Sequence, residues 1–200
     1  MKHIENKIKL ITEEIQNVEK QENETLFLNE MKKIGIEKLP YSYSALKQFI
    51  DAETMNYHYN KHYKGYVDKL NAALKNKDYG DLELEEIVKS ISRFNKTIRN
   101  NAGGAFNHAL FWKMLSPKTQ TPNGDVIKQI KKDFNTFANF KKEFETIAKD
   151  RFGSGWVWLV LTKRNTLKIV STANQDNPLM NVVEDGGYPI LGLDLWEHAY

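Results

Sequence analysis

Four of the chain's five histidines sit in its most aromatic stretches, and this placement limits the folds open to it. The stretches are Tyr57-His58-Tyr59, with His62 close behind, Asn107-His108-Ala109-Leu110-Phe111-Trp112, and Trp196-Glu197-His198. A lone histidine on an aromatic face reads first as a satisfied core residue; the set is more informative than its members. Burying several imidazoles costs free energy unless each ring nitrogen finds a partner. A shared metal ion would supply one. His58 and His62 are four apart on a predicted helix, so they share a face. His108 falls on a second helix, and His198 lies four residues after Asp194. Two helices and a strand end can therefore bring three imidazoles and a carboxylate together. Imidazole plus one carboxylate, without thiolate, suits Mn, Fe or Zn better than Ca or Cu(I). Spacing alone chooses neither the metal nor between His58 and His62 as ligands.

The pattern along the chain gives the scaffold. Ile4, Ile8, Ile11, Ile15 and Val18 recur at helical spacing, a short amphipathic seam in an extension over residues 1–37. Leu39-Pro40-Tyr41 breaks that pattern, and Ser44 can cap a short helix over Ala45 to Ile50. One long helix is predicted from Ala52 to about Lys75, and a short one from Leu82 to Ser92 with Leu84, Ile87, Val88 and Ile91 inward. A second long helix is predicted from Asn95 to Met114, stopped by Ser116-Pro117. A polar stretch from Lys118 to Gly124 marks a boundary. Val126 to Phe134 and Phe137 to Asp150 read as amphipathic helices. Trp156 to Thr162 and Leu167 to Thr172 read as a hairpin, and Pro189 to Leu193 as a third strand leading into Asp194 and a helix start.

Composition excludes several classes of function. The chain has 200 residues and no cysteine, so it holds no disulfide framework, thiol nucleophile or Cys-ligated metal. The absence fits a reducing compartment. A net charge of +3 favours small anions over nucleic acid, and no Lys/Arg block resembles a DNA-binding arm. The longest strongly apolar stretch, Trp156 to Leu161, is too short to span a bilayer. The first thirty residues are rich in glutamate and lack an apolar core, unlike a signal or transit peptide. Cytoplasmic location, no membrane and no nucleic acid are the expectations.

At the residues that could carry chemistry, the sequence resembles the iron/manganese superoxide dismutases from about Leu39 to Tyr200. The resemblance rests on Leu39-Pro40-Tyr41, Thr54-Met55-Asn56-Tyr57-His58 with Lys61-His62, and Asn100-Asn101-Ala102-Gly103-Gly104 with Asn107-His108. It continues through Arg151-Phe152-Gly153-Ser154-Gly155-Trp156, Thr172-Ala173-Asn174-Gln175-Asp176 and Gly192-Leu193-Asp194-Leu195-Trp196-Glu197-His198-Ala199-Tyr200. It implies that His58, His108, Asp194 and His198 bind the metal. It makes His62 and Tyr66 the gate over the substrate channel and Gln175 the residue whose hydrogen bonds tune the metal. Trp112, Trp156 and Trp196 match an aromatic shell, and Ser154 an interface position. Glu197 matches the residue that reaches the other subunit's ligand histidine in a homodimer. Gln175, with Gly104 where iron-type members usually carry their glutamine, looks manganese-type. Ala105 stands where manganese-type members often have His, and Tyr63 where some members have His, so iron is the alternative metal.

The expected architecture is therefore α+β. An N-terminal helical extension (residues 1–37) precedes a long helical-hairpin domain (residues 38–118). An α/β domain with a small three-stranded antiparallel sheet (residues 119–200) follows, ending before the family's C-terminal helices. The expected function is superoxide dismutation with manganese, or iron, as cofactor and superoxide anion as substrate. The alternative is a catalytically impaired homologue that acts as an interaction module through its N-terminal helix.

Overall fold

The structure, a computed structural model, describes residues 33–75, 79, 82–118 and 121–199, together with residues 16, 17, 20 and 21. The apolar seam from Ile4 to Val18 and the fifth histidine, His3, lie outside the described residues. Residues 34–73 and 83–200 pack as one compact unit, and everything below concerns that unit.

Ser44 does not cap a helix. It lies inside a short 3-10 turn, Tyr43–Leu46, whose cap position is Ser42. Within this unit the first regular helix begins at Asp51, whose carboxylate accepts from the Thr54 amide at 2.7 Å. Such a cap satisfies an amide that the helix itself leaves unpaired. Helix α1 (Ala52–Tyr57) then widens into a π-helical turn, His58–Tyr63, and resumes as α2 (Lys64–Leu74). The sequence pattern predicts one uninterrupted helix here. Hydrophobic periodicity does not report a local change of winding, and π turns gather at functional sites. This one carries His58 and His62.

Glu83 and Glu86 form a reciprocal capping box that starts α3 (Leu84–Lys89) two residues later than predicted. A 3-10 turn, Ile91–Arg93, leads to Asn95. The Asn95 side chain accepts from the Ile98 amide at 3.0 Å and starts α4 (Lys96–Met114), the longest helix among the described residues. Beyond Pro117 come α5 (Gly124–Phe134) and α6 (Phe137–Asp150), the latter capped by Thr136.

The sheet has the order β2-β1-β3, built from β1 (Gly155–Leu161), β2 (Leu167–Ala173) and β3 (Tyr188–Asp194), with both pairings antiparallel. Asp194 ends β3 rather than starting a helix; only a 3-10 turn, Glu197–Ala199, follows. β1 is central and buried from Gly155 to Val160, so it reads as a continuous apolar run rather than an alternation. Val157 and Leu159 join Ile130, Phe134 and Phe140 of α5 and α6 in one core. Trp156 and Trp158 point to the opposite face, stacked on each other at 5.2 Å, and Trp156 meets Phe111 of α4. One strand thus separates a core of aliphatic side chains and phenylalanines from one built on tryptophans, and the histidines lie on the tryptophan side.

Gly192 sits opposite Trp158 in the β1–β3 register, and a Cβ there would lie 2.4 Å from the indole. Gly65 in α2 has open space where its Cβ would be. Gly192→Ala should therefore lose about 1–3 kcal/mol through overpacking. Gly65→Ala should gain about 0.5–1 kcal/mol from helix propensity. Urea unfolding of the two variants checks both signs.

Candidate metal centre

The π-helical turn delivers His58, α4 delivers His108, and the end of β3 delivers Asp194 and, one short turn later, His198. The candidate ligand atoms of these four residues all lie within 4.8 Å of one another. The His58 and His198 Nε2 atoms each stand 3.4 Å from Asp194 Oδ2, and His108 Nε2 stands 3.8 Å from it. None of these four buried atoms has a hydrogen-bond partner. Buried polar atoms are seldom left this way. Three ring nitrogens and a carboxylate oxygen, all orphaned and facing one point, fit a cation held between them.

The protonation state suits that reading. His108 Nδ1 lies 2.7 Å from the Gly104 carbonyl. A carbonyl only accepts, so Nδ1 carries the proton and Nε2 keeps its lone pair for a metal. Burial, with His58 nearby, pushes His108 down to about 3 despite Asp194. Burial likewise lowers His58. For Asp194, burial alone would raise the carboxyl, but His198, His58, His108 and the Trp196 amide outweigh it and hold it at about 2. At neutral pH His58 and His108 are therefore neutral imidazoles beside a charged carboxylate, part of a donor set ready for a cation.

His62 is not in the ligand group. Its ring stacks on His198 at 4.2 Å and meets His58 edge-on at 6.0 Å. The three share the wall of an open cleft of about 270 Å³ with Glu53, Thr54 and Tyr57. The other walls are aromatic. Trp112 packs edge-on against His58 at 4.9 Å, Trp156 against His108 at 5.4 Å, and Trp196 stacks on His198 at 5.8 Å. Tyr63 lies parallel to His108 at 6.2 Å.

Gln175 is buried and its amide orientation is determined. Its Oε1 accepts from the Trp156 indole at 3.2 Å and from Asn107 Nδ2 at 3.3 Å. An indole N–H only donates, so Nε2 must be the atom that faces Tyr66 Oη at 3.1 Å. Tyr66 therefore accepts from Gln175 and keeps its own proton to give. Burial raises the Tyr66 hydroxyl's pKa, which keeps that proton on at neutral pH. Gly104 makes this possible: a Cβ there would come within 2.4 Å of the Tyr66 ring.

Sequence reasoning named the histidines, Asp194, Tyr66, Gln175 and the tryptophans of this arrangement, but gave no role to Glu53 in the cleft, to Asn107 on Gln175, or to the packing of Gly104 on Tyr66. For Asn107 and Gly104 the signal is their spacing from His108 along α4, one residue before it and four before it. Ser154 and Glu197 are not members of the ligand group, and Glu197, next to His198 in the chain, is exposed.

Two family models match the chain: iron/manganese superoxide dismutases, alpha-hairpin domain, over residues 33–116, and the C-terminal domain of the same enzymes over residues 122–200. Among curated relatives, a "Superoxide dismutase [Mn]" of Salmonella typhi is 52% identical, covering 81% of this chain and 81% of its own. One from Acinetobacter baylyi is 48% identical over 81% of this chain and 72% of its own. One from Buchnera aphidicola is 46% identical over 81% and 82% respectively.

Between about pH 6.5 and 3 the unfolded chain takes up a proton that folded His108 refuses. Stability of the metal-free protein should be full above pH 6.5 and fall as the pH drops through that window. Urea midpoints across the range check this, and His108→Leu should flatten the decline; a wild-type midpoint unchanged from pH 6.5 to 4 contradicts it.

Proposed function

The chain belongs to the iron/manganese superoxide dismutase family, and we propose from that premise that His58, His108, Asp194 and His198 hold its metal while His62, Tyr66 and Gln175 govern access and protons. The activity is superoxide dismutation: two superoxide anions and two protons become one dioxygen and one hydrogen peroxide. The metal, when bound, supplies the electron relay by cycling between its trivalent and divalent states. The observation that carries the assignment of the ligands is the set of orphaned Nε2 and Oδ2 atoms. Manganese is the metal we assign, with iron the alternative. The relatives are named for manganese, and the pairing of Gln175 with Gly104 supports the same choice.

The chain's own residues have three tasks. The four ligands present one negative charge, which offsets only part of a cation's charge and leaves the site attractive to a small anion. The cleft between Tyr57, His62 and His198 admits such an anion to the ligand imidazoles. Peroxide formation consumes protons, and Tyr66 Oη holds one that its bond from Gln175 does not use. Gln175, fixed by Trp156 and Asn107, sets the position of that hydroxyl and the polarity beside the metal. Hydrogen bonds around a metal's ligands are the protein's main means of tuning it.

We extend the reading to a homodimer with Glu197 at the interface; Glu197 and Phe152 are both exposed and able to meet a second copy. The division into a helical-hairpin domain, residues 38–118, and an α/β domain, residues 119–200, belongs to the same reading. No described helix is long and apolar enough to cross a membrane. A cytoplasmic location is supported by the lack of cysteine. The alternative of an impaired interaction module finds no support, because the ligand group is complete.

Superoxide decay measured by pulse radiolysis, on protein loaded separately with Mn and with Fe, tests the whole assignment. Fast catalysis with manganese and slow or none with iron is the expected result; catalysis with iron alone would reverse the metal. His108→Ala should lose the metal, and a full complement of tightly bound metal would remove it from the ligand set. Gln175→Ala should keep the metal, shift its midpoint potential and cut turnover by about 10- to 100-fold. Unchanged kinetics would refute the tuning role.

A further inference from the structure

The loop after β2 carries Gln175, and it is gripped by one stripe of α4. Arg99, Gly103 and Asn107 are spaced four apart on that helix, so they line one face over two turns. Arg99 makes a two-pronged pair with Asp176, Nε to Oδ1 at 2.8 Å and Nη2 to Oδ2 at 2.6 Å. Gly103 lets the Gln175 carbonyl lie flush on the helix; a Cβ there would come within 2.0 Å of that oxygen. Asn107 donates to the Gln175 carbonyl at 3.1 Å and accepts from buried Asn177 at 2.9 Å. Three consecutive loop residues, Gln175, Asp176 and Asn177, are thus each tied to the same helix face.

We propose that Arg99 is a positioning residue for the reaction: its bidentate hold on Asp176 sets where the Gln175 side chain sits. This rests on the role assigned to Gln175 above. The Arg99–Asp176 pair is partly exposed, with side-chain accessibilities of 37% and 22%. An ion pair so placed contributes little to global stability, so its value lies in geometry. A bidentate fork fixes orientation as well as distance. Asp176 has no freedom elsewhere to compensate. Its carbonyl accepts from Thr172 Oγ1 at 2.6 Å and its amide donates to the Ala173 carbonyl at 3.1 Å. A shift of Asp176 therefore passes to its neighbour Gln175 rather than being absorbed. Asn107 holds Gln175 and Asn177, the residues on either side, through a single side chain near the site. Arg99, two turns away on the same helix, holds the residue between them and so fixes the angle at which the loop lies along α4. The helix that bears the candidate ligand His108 thus also holds the side chain that tunes the metal, and the two keep a common frame.

The test uses the full chain loaded with manganese and compares Arg99→Gln, Arg99→Lys and Gln175→Ala. Arg99→Gln should keep its metal and nearly its melting temperature. Hydrogen–deuterium exchange over residues 174–177 should quicken, the midpoint potential should move in the direction that Gln175→Ala moves it, and turnover should fall about 10-fold. Arg99→Lys, a point charge without the fork, should recover only part of each effect. A loop that exchanges no faster in Arg99→Gln overturns the proposal. So does a loop that loosens without moving the potential when Gln175→Ala does move it. A loop that loosens while Gln175→Ala leaves the potential unchanged upholds the clamp, and overturns instead the role given to Gln175.

Discussion

Three imidazole nitrogens face one carboxylate oxygen in a buried space, and no hydrogen bond relieves any of them. Elsewhere in a protein this would be a defect costing several kcal/mol. Here it is the condition the rest of the fold serves. A carboxylate facing imidazole nitrogens that nothing else engages is an incomplete arrangement, and a cation completes it. Ligands already oriented before a metal arrives spare its binding the cost of ordering them. The holding falls to groups with no part in the chemistry. The Gly104 carbonyl sets the His108 tautomer, and the Trp196 amide, donating to Asp194 Oδ1 at 2.9 Å, sets the carboxylate. Trp112, Trp156 and Tyr63 wall in the rings.

Helix α4 organises most of this. Residues 101–105 and 107–108 are buried, and only half-buried Phe106 stands between them. One face bears His108, the next bears the stripe that holds the Gln175 loop, and Gly103 and Gly104 let two different neighbours come within backbone distance. Those glycines cost helix propensity, roughly 1 kcal/mol each. The cost is offset by contacts that a Cβ would forbid: the Gln175 carbonyl at one, the Tyr66 ring at the other. Glycine here is chosen for absent volume rather than for backbone freedom, since neither position has a left-handed φ.

Much of this was legible in the residues. The helices from Asn95 to Met114 and from Phe137 to Asp150, and the hairpin around Asn165, follow from caps, breakers and alternation, which are local properties. The candidate histidines stood out because imidazoles in aromatic surroundings are chemically conspicuous. Spacing alone did not separate His58 from His62, which helical periodicity puts on one face; the family resemblance did. In the structure His62 stacks on His198 and stands outside the group around the shared carboxylate. The π turn was invisible because winding is decided by contacts distant in sequence. Asn107 stood in a quoted motif without a role and Arg99 was passed over, because a polar residue on a helix is unremarkable until its partner is known, and their partners lie 68 to 77 residues away.

The asymmetry of the site follows from the same packing. On one side stand Trp112, Trp156 and Tyr63, each almost wholly buried, with no room for an incoming ion. On the other, His58, His62 and His198 border an open cleft. Superoxide needs only that one approach. Protons need a route that does not admit bulk water to the ligand atoms, because water would compete for the orphaned nitrogens and raise the local dielectric. Tyr66 answers this need by position. It is half-buried, packed on Gly104, tilted against His108 at 5.3 Å, and hydrogen-bonded to a glutamine that cannot move. A hydroxyl in that place can pass a proton without opening a path. On the proposed reading, entry and protonation are separated onto His62 and Tyr66, four residues apart, where the π turn gives way to α2.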